Sequence, residues 1–272
     1  MQIELNYIIY LDWNVIVDLE SGKLSWLEKK IFEAKSRKSI SIPFSGEHRK
    51  EASNIKSKEE INRRLTYIAE LSSNLYFFNN LQSIEYKIET PRSVYNTISE
   101  VDLGINPDKF ISNLIPFEAL KNTRNLLTLD PTRLNNISPE KAIGEIDKII
   151  GSYGEDFSFA GLIKKGIEIA EQNAVLPNKY YFEQIIIIAV FSLLDLFGFW
   201  SDKKETYERG SHLVDSRHAL NGTFADLVIS ADWRFCMRSK AVYSLLKRKP
   251  KVLHLKTDVN EIVKILDKLN LA

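Results

Sequence analysis

Two aspartates each stand just beyond a short apolar run: Asp12 after Tyr7-Ile8-Ile9-Tyr10-Leu11, and Asp232 after Leu227-Val228-Ile229-Ser230-Ala231. Runs of β-branched and aromatic residues bounded by turn residues predict buried strands. In parallel α/β sheets, ligands bind beyond the carboxyl ends of the strands, so both acids stand where a site is expected. A strand-end Asp equally serves as the N-cap of the helix that follows. Two further stretches bring acids toward the same edge. In Ser45-Gly46-Glu47-His48-Arg49-Lys50-Glu51, Ser45 can cap a helix on which Glu47 and Glu51, one turn apart, share a face. Either can reach back over the sheet edge. Val214-Asp215-Ser216-Arg217-His218-Ala219-Leu220 reads as a short helix stopped near Gly222, with Asp215 in its first turn and His218 one turn on.

Carboxylates gathered at one point repel one another at neutral pH unless a cation sits among them. Mg²⁺ or Mn²⁺ prefers carboxylate oxygen and water, and an ion so held activates water and neutralises charge developing on a phosphodiester. The sequence points away from other metal chemistry. Its four histidines, His48, His212, His218 and His254, lack zinc spacing, Cys236 is the lone cysteine, and there is no Gly-rich phosphate loop. His48 and His218 are expected to pack helices or to support the acids rather than to ligate.

The elements that must position these residues alternate. Strands are predicted at residues 7–11, 39–43, 75–78, 227–230 and 252–256, with helical periods at 26–35, 47–71 and 239–247. Strand–helix alternation predicts an α/β fold, a parallel sheet sandwiched by helices. From about residue 85 to 200 helix signals dominate, with Ser138-Pro139 as N-cap and first helical residue, and further helices at 157–172 and 179–199. The expected organisation is a core of residues 1–84 and 201–272 carrying a helical insertion, 85–200. Within it Phe182–Trp200 is long and apolar enough to test as a membrane span, but Glu183 and Asp195 favour a buried helix.

With 272 residues, 44% apolar and 27% charged, and only 11 Gly and 8 Pro, the chain is neither disordered nor low in complexity. A single cysteine excludes a disulfide framework and points to a reducing, cytoplasmic address, and the amino terminus lacks a signal-peptide pattern. Lys plus Arg number 37 against 36 Asp plus Glu, so nucleic-acid binding requires a local patch. One such run exists. No acid falls between Asp232 and Asp258, whereas Arg234, Arg238, Lys240, Lys247, Arg248, Lys249, Lys251 and Lys256 do, interleaved with Trp233, Phe235 and Tyr243. Cations for phosphates beside aromatics for stacking suit a single strand; the alternative is a solvated helix face with core aromatics.

The strings Ile9-Tyr10-Leu11-Asp12-Trp13-Asn14-Val15-Ile16, Ile42 to Glu51, Asp215 to Ala219 and Ala225 to Phe235, in that order, resemble the PIN-domain nucleases. The resemblance covers residues 5–80 and 210–257. It implies Asp12, Glu51, Asp215 and Asp232 as the catalytic and metal-site acids, with Asn14 as polar support. It favours Glu51 over Glu47 because the family acid begins a Glu-Leu-like step, here Glu51-Ala52. The function so implied is Mg²⁺- or Mn²⁺-dependent hydrolysis of phosphodiester bonds, with single-stranded RNA as the expected nucleic-acid partner. A structure-specific DNA nuclease, or an idle PIN-like scaffold binding a protein through its helical insertion, are the alternatives. A haloacid-dehalogenase-like phosphatase is disfavoured, because that class needs Asp where Asn14 stands. No membrane partner is expected.

Overall fold

The computed structural model describes residues 5–79, 84–99, 117–153, 158, 161, 179–208 and 211–271. In chain order the first elements are β1 (Tyr7–Leu11), α1 (Trp13–Glu20), α2 (Ser25–Ser36), β2 (Ile40–Ser41), β3 (Phe44–Ser45), α3 (Gly46–Ala52), α4 (Lys58–Ser72), β4 (Leu75–Asn79), β5 (Ile84–Ile88) and α5 (Pro91–Ser99). Then come α6 (Phe117–Leu126), α7 (Pro131–Asn135), α8 (Pro139–Ile150), α9 (Lys179–Phe197), α10 (Lys204–Glu208) and α11 (Ser211–Gly222). The chain closes with β6 (Leu227–Ser230), α12 (Trp233–Leu245), β7 (Lys251–His254) and α13 (Val259–Leu271). These divide into two compact units. The first comprises Met1–Leu103, Asn221–Trp233 and Lys249–Ala272; the second comprises Gly104–Leu220 and Arg234–Arg248.

The first unit is α/β. Its four-stranded sheet runs β2-β1-β6-β7, parallel throughout, with Ile9 opposite Leu227 and Val228 opposite Val252. All four residues of β6 are buried, as a central strand of a parallel sheet requires. Helices α1, α2 and α13 flank the strands, and Ile9, Leu11, Val15, Leu27, Ile31, Ile229, Leu253 and Ile262 belong to one continuous core. All four strands present their carboxyl ends at one edge. That edge receives Asp12 and Asp232.

Three local expectations are overturned here, each for a chemical reason. The strand expected at 39–43 is two short strands separated by Ile42-Pro43: β2 pairs with β1, and β3 pairs with β4. Pro43 has no N–H to give a ladder, so one uninterrupted strand is broken there. The helix expected over 47–71 is two, α3 and α4, parted at residues 53–57, with Ser57 capping α4 through the Glu60 N–H. Ser and Asn at 53, 54 and 57 compete for backbone groups and favour helix ends over helix interiors. Finally, β5 forms a five-pair antiparallel ladder with β4, where residues from 85 onward were expected to be helical. Its sequence, Ile84-Glu85-Tyr86-Lys87-Ile88, carries alternating charge that suits an edge strand.

In the second unit α8 begins with Pro139 after Ser138, as expected, and buries Ala142, Ile143 and Ile146. Helix α9 buries Ile187, Val190, Phe191 and Leu194. Among the described residues no helix is long and apolar enough to cross a membrane. Helix α9 stops at Gly198, whose φ of +91° and distance of 2.9 Å from a would-be Cβ to Pro131 Cγ leave room for glycine alone. The helix expected at 157–172 lies outside the described residues, apart from 158 and 161.

Candidate metal centre

Asp12 is the residue on which the carboxyl edge of the sheet converges. It caps α1, its Oδ1 accepting from the Trp13 N–H at 2.8 Å, and is only 6% exposed. Its Oδ2 accepts from the Ser230 hydroxyl at 2.7 Å, a bond that crosses from β6 to β1. Ser230 in turn accepts from the Asp232 N–H at 3.0 Å, so a fully buried hydroxyl orients the first acid and the backbone of the second. The cap and the strand-end site are therefore the same carboxylate.

Glu51, on α3, brings a carboxylate oxygen within 4.8 Å of one on Asp12. Neither Asp232 nor Glu47 places a carboxylate oxygen within that distance of both. The Glu47 charge, with that of Glu89, adds to burial in pushing the Tyr76 hydroxyl up to about 12. Asn14 is exposed and makes no side-chain hydrogen bond among the described residues.

Two carboxylate oxygens this close, one of them on a nearly buried Asp, form a donor set suited to a hard divalent ion. Asp12 spends two of its acceptor positions on Trp13 and Ser230, and a carboxylate has about four, so capacity for a cation remains. Arg64 stacks over the Trp13 ring at 5.6 Å and pairs with Glu20, steadying the first turn of α1.

His48 is a structural group and not a ligand. Its Nδ1 accepts from the Ser45 N–H at 2.9 Å, which requires the proton on Nε2, and Nε2 donates to the Leu11 carbonyl at 2.8 Å. The ring is completely buried, with both nitrogens committed. Ser45 Oγ lies 3.2 Å from Nδ1 and 2.9 Å from the Tyr10 hydroxyl.

Asp215 and His218 lie on α11, in the part of that helix that belongs to the second unit. Asp215 Oδ2 accepts from Arg238 Nη2 at 3.1 Å. Arg238 also reaches Asp202 at 3.1 Å and Asp195 at 3.4 Å, and its guanidinium lies 4.5 Å over the Phe191 ring. Asp195, the acid within the apolar helix α9, also accepts from the Asp202 N–H at 2.7 Å.

This corrects the expected nucleic-acid face. Arg238 is 0% exposed and surrounded by acids, so it has nothing to offer a phosphate. Phe235 and Tyr243 are buried as well, the Tyr243 hydroxyl donating to the Ala219 carbonyl, so neither can stack on a base. Helix α12 buries an apolar stripe with a buried arginine in it. Of the other expected contacts, Lys247 is exposed and Arg234, Lys240 and Arg248 are half-buried, all in the second unit.

Two groups that hold the strand-end acids carry weaker sequence signals. Ser230 looked like one more strand residue, though a hydroxyl two positions before a strand-end Asp is the available signal. His254, which lacks zinc spacing to the other histidines, is the second. It mirrors His48: Nδ1 accepts from the Thr257 N–H at 3.3 Å, with Thr257 Oγ1 at 3.1 Å, and Nε2 donates to the Ala231 carbonyl at 3.1 Å. The Ser45/His48 and His254/Thr257 spacings are the shared trace in the sequence. No protein-family model matches the chain, and no curated protein and no solved structure matches it.

Proposed function

We propose that the chain is a metal-dependent nuclease of PIN-domain type that hydrolyses phosphodiester bonds in single-stranded RNA, with Mg²⁺ or Mn²⁺ held by Asp12 and Glu51. The observation that carries the reading is the approach of these two carboxylates to within 4.8 Å at the carboxyl edge of a parallel sheet. Bound there, the ion would activate a water and neutralise charge developing on the scissile phosphate. The residues of the chain do the rest. Ser230 and the Trp13 N–H fix the Asp12 carboxylate, so it need not reorganise when a cation arrives. Asp232 is assigned a water-mediated role, because its carboxylate does not reach both of the others at ligand spacing.

The family resemblance gives Asp215 a metal-site role too; its carboxylate accepts from Arg238, and the Asp12–Glu51 reading does not depend on it. The remaining elements of the proposal come from the sequence: an RNA strand drawn in by exposed cations such as Lys247, and a cytoplasmic setting consistent with one buried thiol, Cys236. The test is cleavage of labelled single-stranded RNA by the purified chain with Mg²⁺ or Mn²⁺, and its loss on adding EDTA. Cleavage that survives EDTA would overturn the metal-dependent reading.

A further inference from the structure

We propose that His48 and His254 are a matched pair of positioning residues that hold the two strand-end acids from opposite flanks; this rests on the nuclease reading above. The argument starts where the sheet's own ladder ends. Strand β2 stops at Ser41, opposite Ile8, so no strand N–H from that side reaches the Leu11 carbonyl. On the far side, Leu255 N–H donates to the Ser230 carbonyl at 2.8 Å, and the ladder goes no further. The carbonyls of Leu11 and Ala231, the residues immediately before Asp12 and Asp232, lie beyond those last pairings. An imidazole Nε2–H takes each one, from His48 at 2.8 Å and from His254 at 3.1 Å.

Each imidazole is itself locked. A backbone N–H, from Ser45 or Thr257, donates to Nδ1, and this fixes the neutral Nε2–H tautomer. His48 is fully buried and His254 is 6% exposed, so water does not compete for these bonds. His254 is further anchored by its own N–H, which donates to Asp258 Oδ2 at 2.8 Å, and by the edge of Trp233 at 5.2 Å. The two rings thus carry hydrogen bonding past the last strand pairings, by one residue at Ala231 and by three at Leu11. Ser230 ties the two acids together from within. Outer supports of this kind set the direction of a ligand carboxylate without touching the ion, and their loss typically weakens metal binding or activity roughly ten- to hundredfold.

The experiment compares His254→Asn and His254→Gln in the full chain. Asn keeps an acceptor where Nδ1 stands but cannot reach the Ala231 carbonyl, whereas Gln can place an amide N–H near the Nε2 position. We expect His254→Asn to lower kcat for RNA cleavage and Mn²⁺ affinity by about tenfold or more with KM within about twofold, and Gln to restore most of the loss. Nitrogen-15 spectra of the wild-type rings should show Nε2–H tautomers for both histidines, a readout independent of cleavage. A folded His254→Asn variant with wild-type kcat and Mn²⁺ affinity overturns the positioning role while leaving the nuclease reading intact. An Nδ1–H tautomer for either ring overturns it too, whatever the variants do. A wild-type chain that binds no Mn²⁺ and cleaves nothing overturns both.

Discussion

Ser230, the last residue of β6, and Asp12, just past the end of β1, are joined by a 2.7 Å hydrogen bond between their side chains, and the serine is completely buried. It adds a side-chain tie to the backbone ladder between the two strands that lead into candidate site acids. A hydrogen bond to a buried charged acceptor contributes about 1.5–3 kcal/mol, so Ser230→Ala should destabilise the protein by about that much in urea unfolding at neutral pH. A loss under about 0.5 kcal/mol would mean that the hydroxyl does not hold the carboxylate.

Arg238 should behave as a structural cation. Its guanidinium joins Asp195, Asp202 and Asp215 in the second unit, and removing one partner from a buried ionic group costs about 3–5 kcal/mol. Arg238→Met should therefore lower stability by that order. Lys247→Glu, at an exposed position, should leave stability within about 0.5 kcal/mol. In RNA binding the pattern should reverse, with Lys247→Glu lowering the slope of log K against log salt by roughly one. Equal stability losses for the two variants would contradict the assignment.

Alkaline pH should weaken the first unit through its buried phenols. Burial, with the nearby Glu89 and Glu47, pushes Tyr76 up to about 12, and burial also raises Tyr86 and Tyr67. A phenol that holds its proton more tightly when folded gives stability that is fully present below pH 10. That stability is lost as pH rises from about 10 to about 12, where the unfolded chain ionises first. Denaturant unfolding between pH 8 and pH 11 should show this decline, and Tyr76→Phe should make it shallower while Tyr86 and Tyr67 sustain the rest. An unchanged slope in that variant would show that Tyr76 is not responsible.

Strand positions were legible because β1, β4 and β6 are short, apolar and bounded by polar residues, and the parallel order followed from the helices between them. The break at Pro43 was legible in principle, since a proline in a presumed inner strand argues against its continuity. Strand β5 was legible in principle too, since Ile84-Glu85-Tyr86-Lys87-Ile88 alternates apolar and charged residues with the period of a strand, but it is short and stands next to a stretch rich in helix signals. Local pattern misleads about charge as well. Arg238 sits in a row of basic residues that looks solvated, and only tertiary packing against acids from α9, the segment before α10, and α11 shows where its side chain goes. Strand ends located Asp12 and Asp232, and one helical turn separates Glu51 from Glu47. Which glutamate meets Asp12 depends on how α3 docks, a matter of packing and not of pattern.

The most direct test of the central claim is to measure Mn²⁺ binding and RNA cleavage side by side for the wild type, Asp12→Asn and Glu51→Gln, each confirmed folded by circular dichroism. Each change replaces a carboxylate by a near-isosteric amide and removes one negative charge from the pair. The account expects both variants to lose Mn²⁺ affinity and at least about a hundredfold in cleavage rate, as the removal of a metal ligand requires. Wild-type cleavage and Mn²⁺ affinity in Asp12→Asn would contradict it.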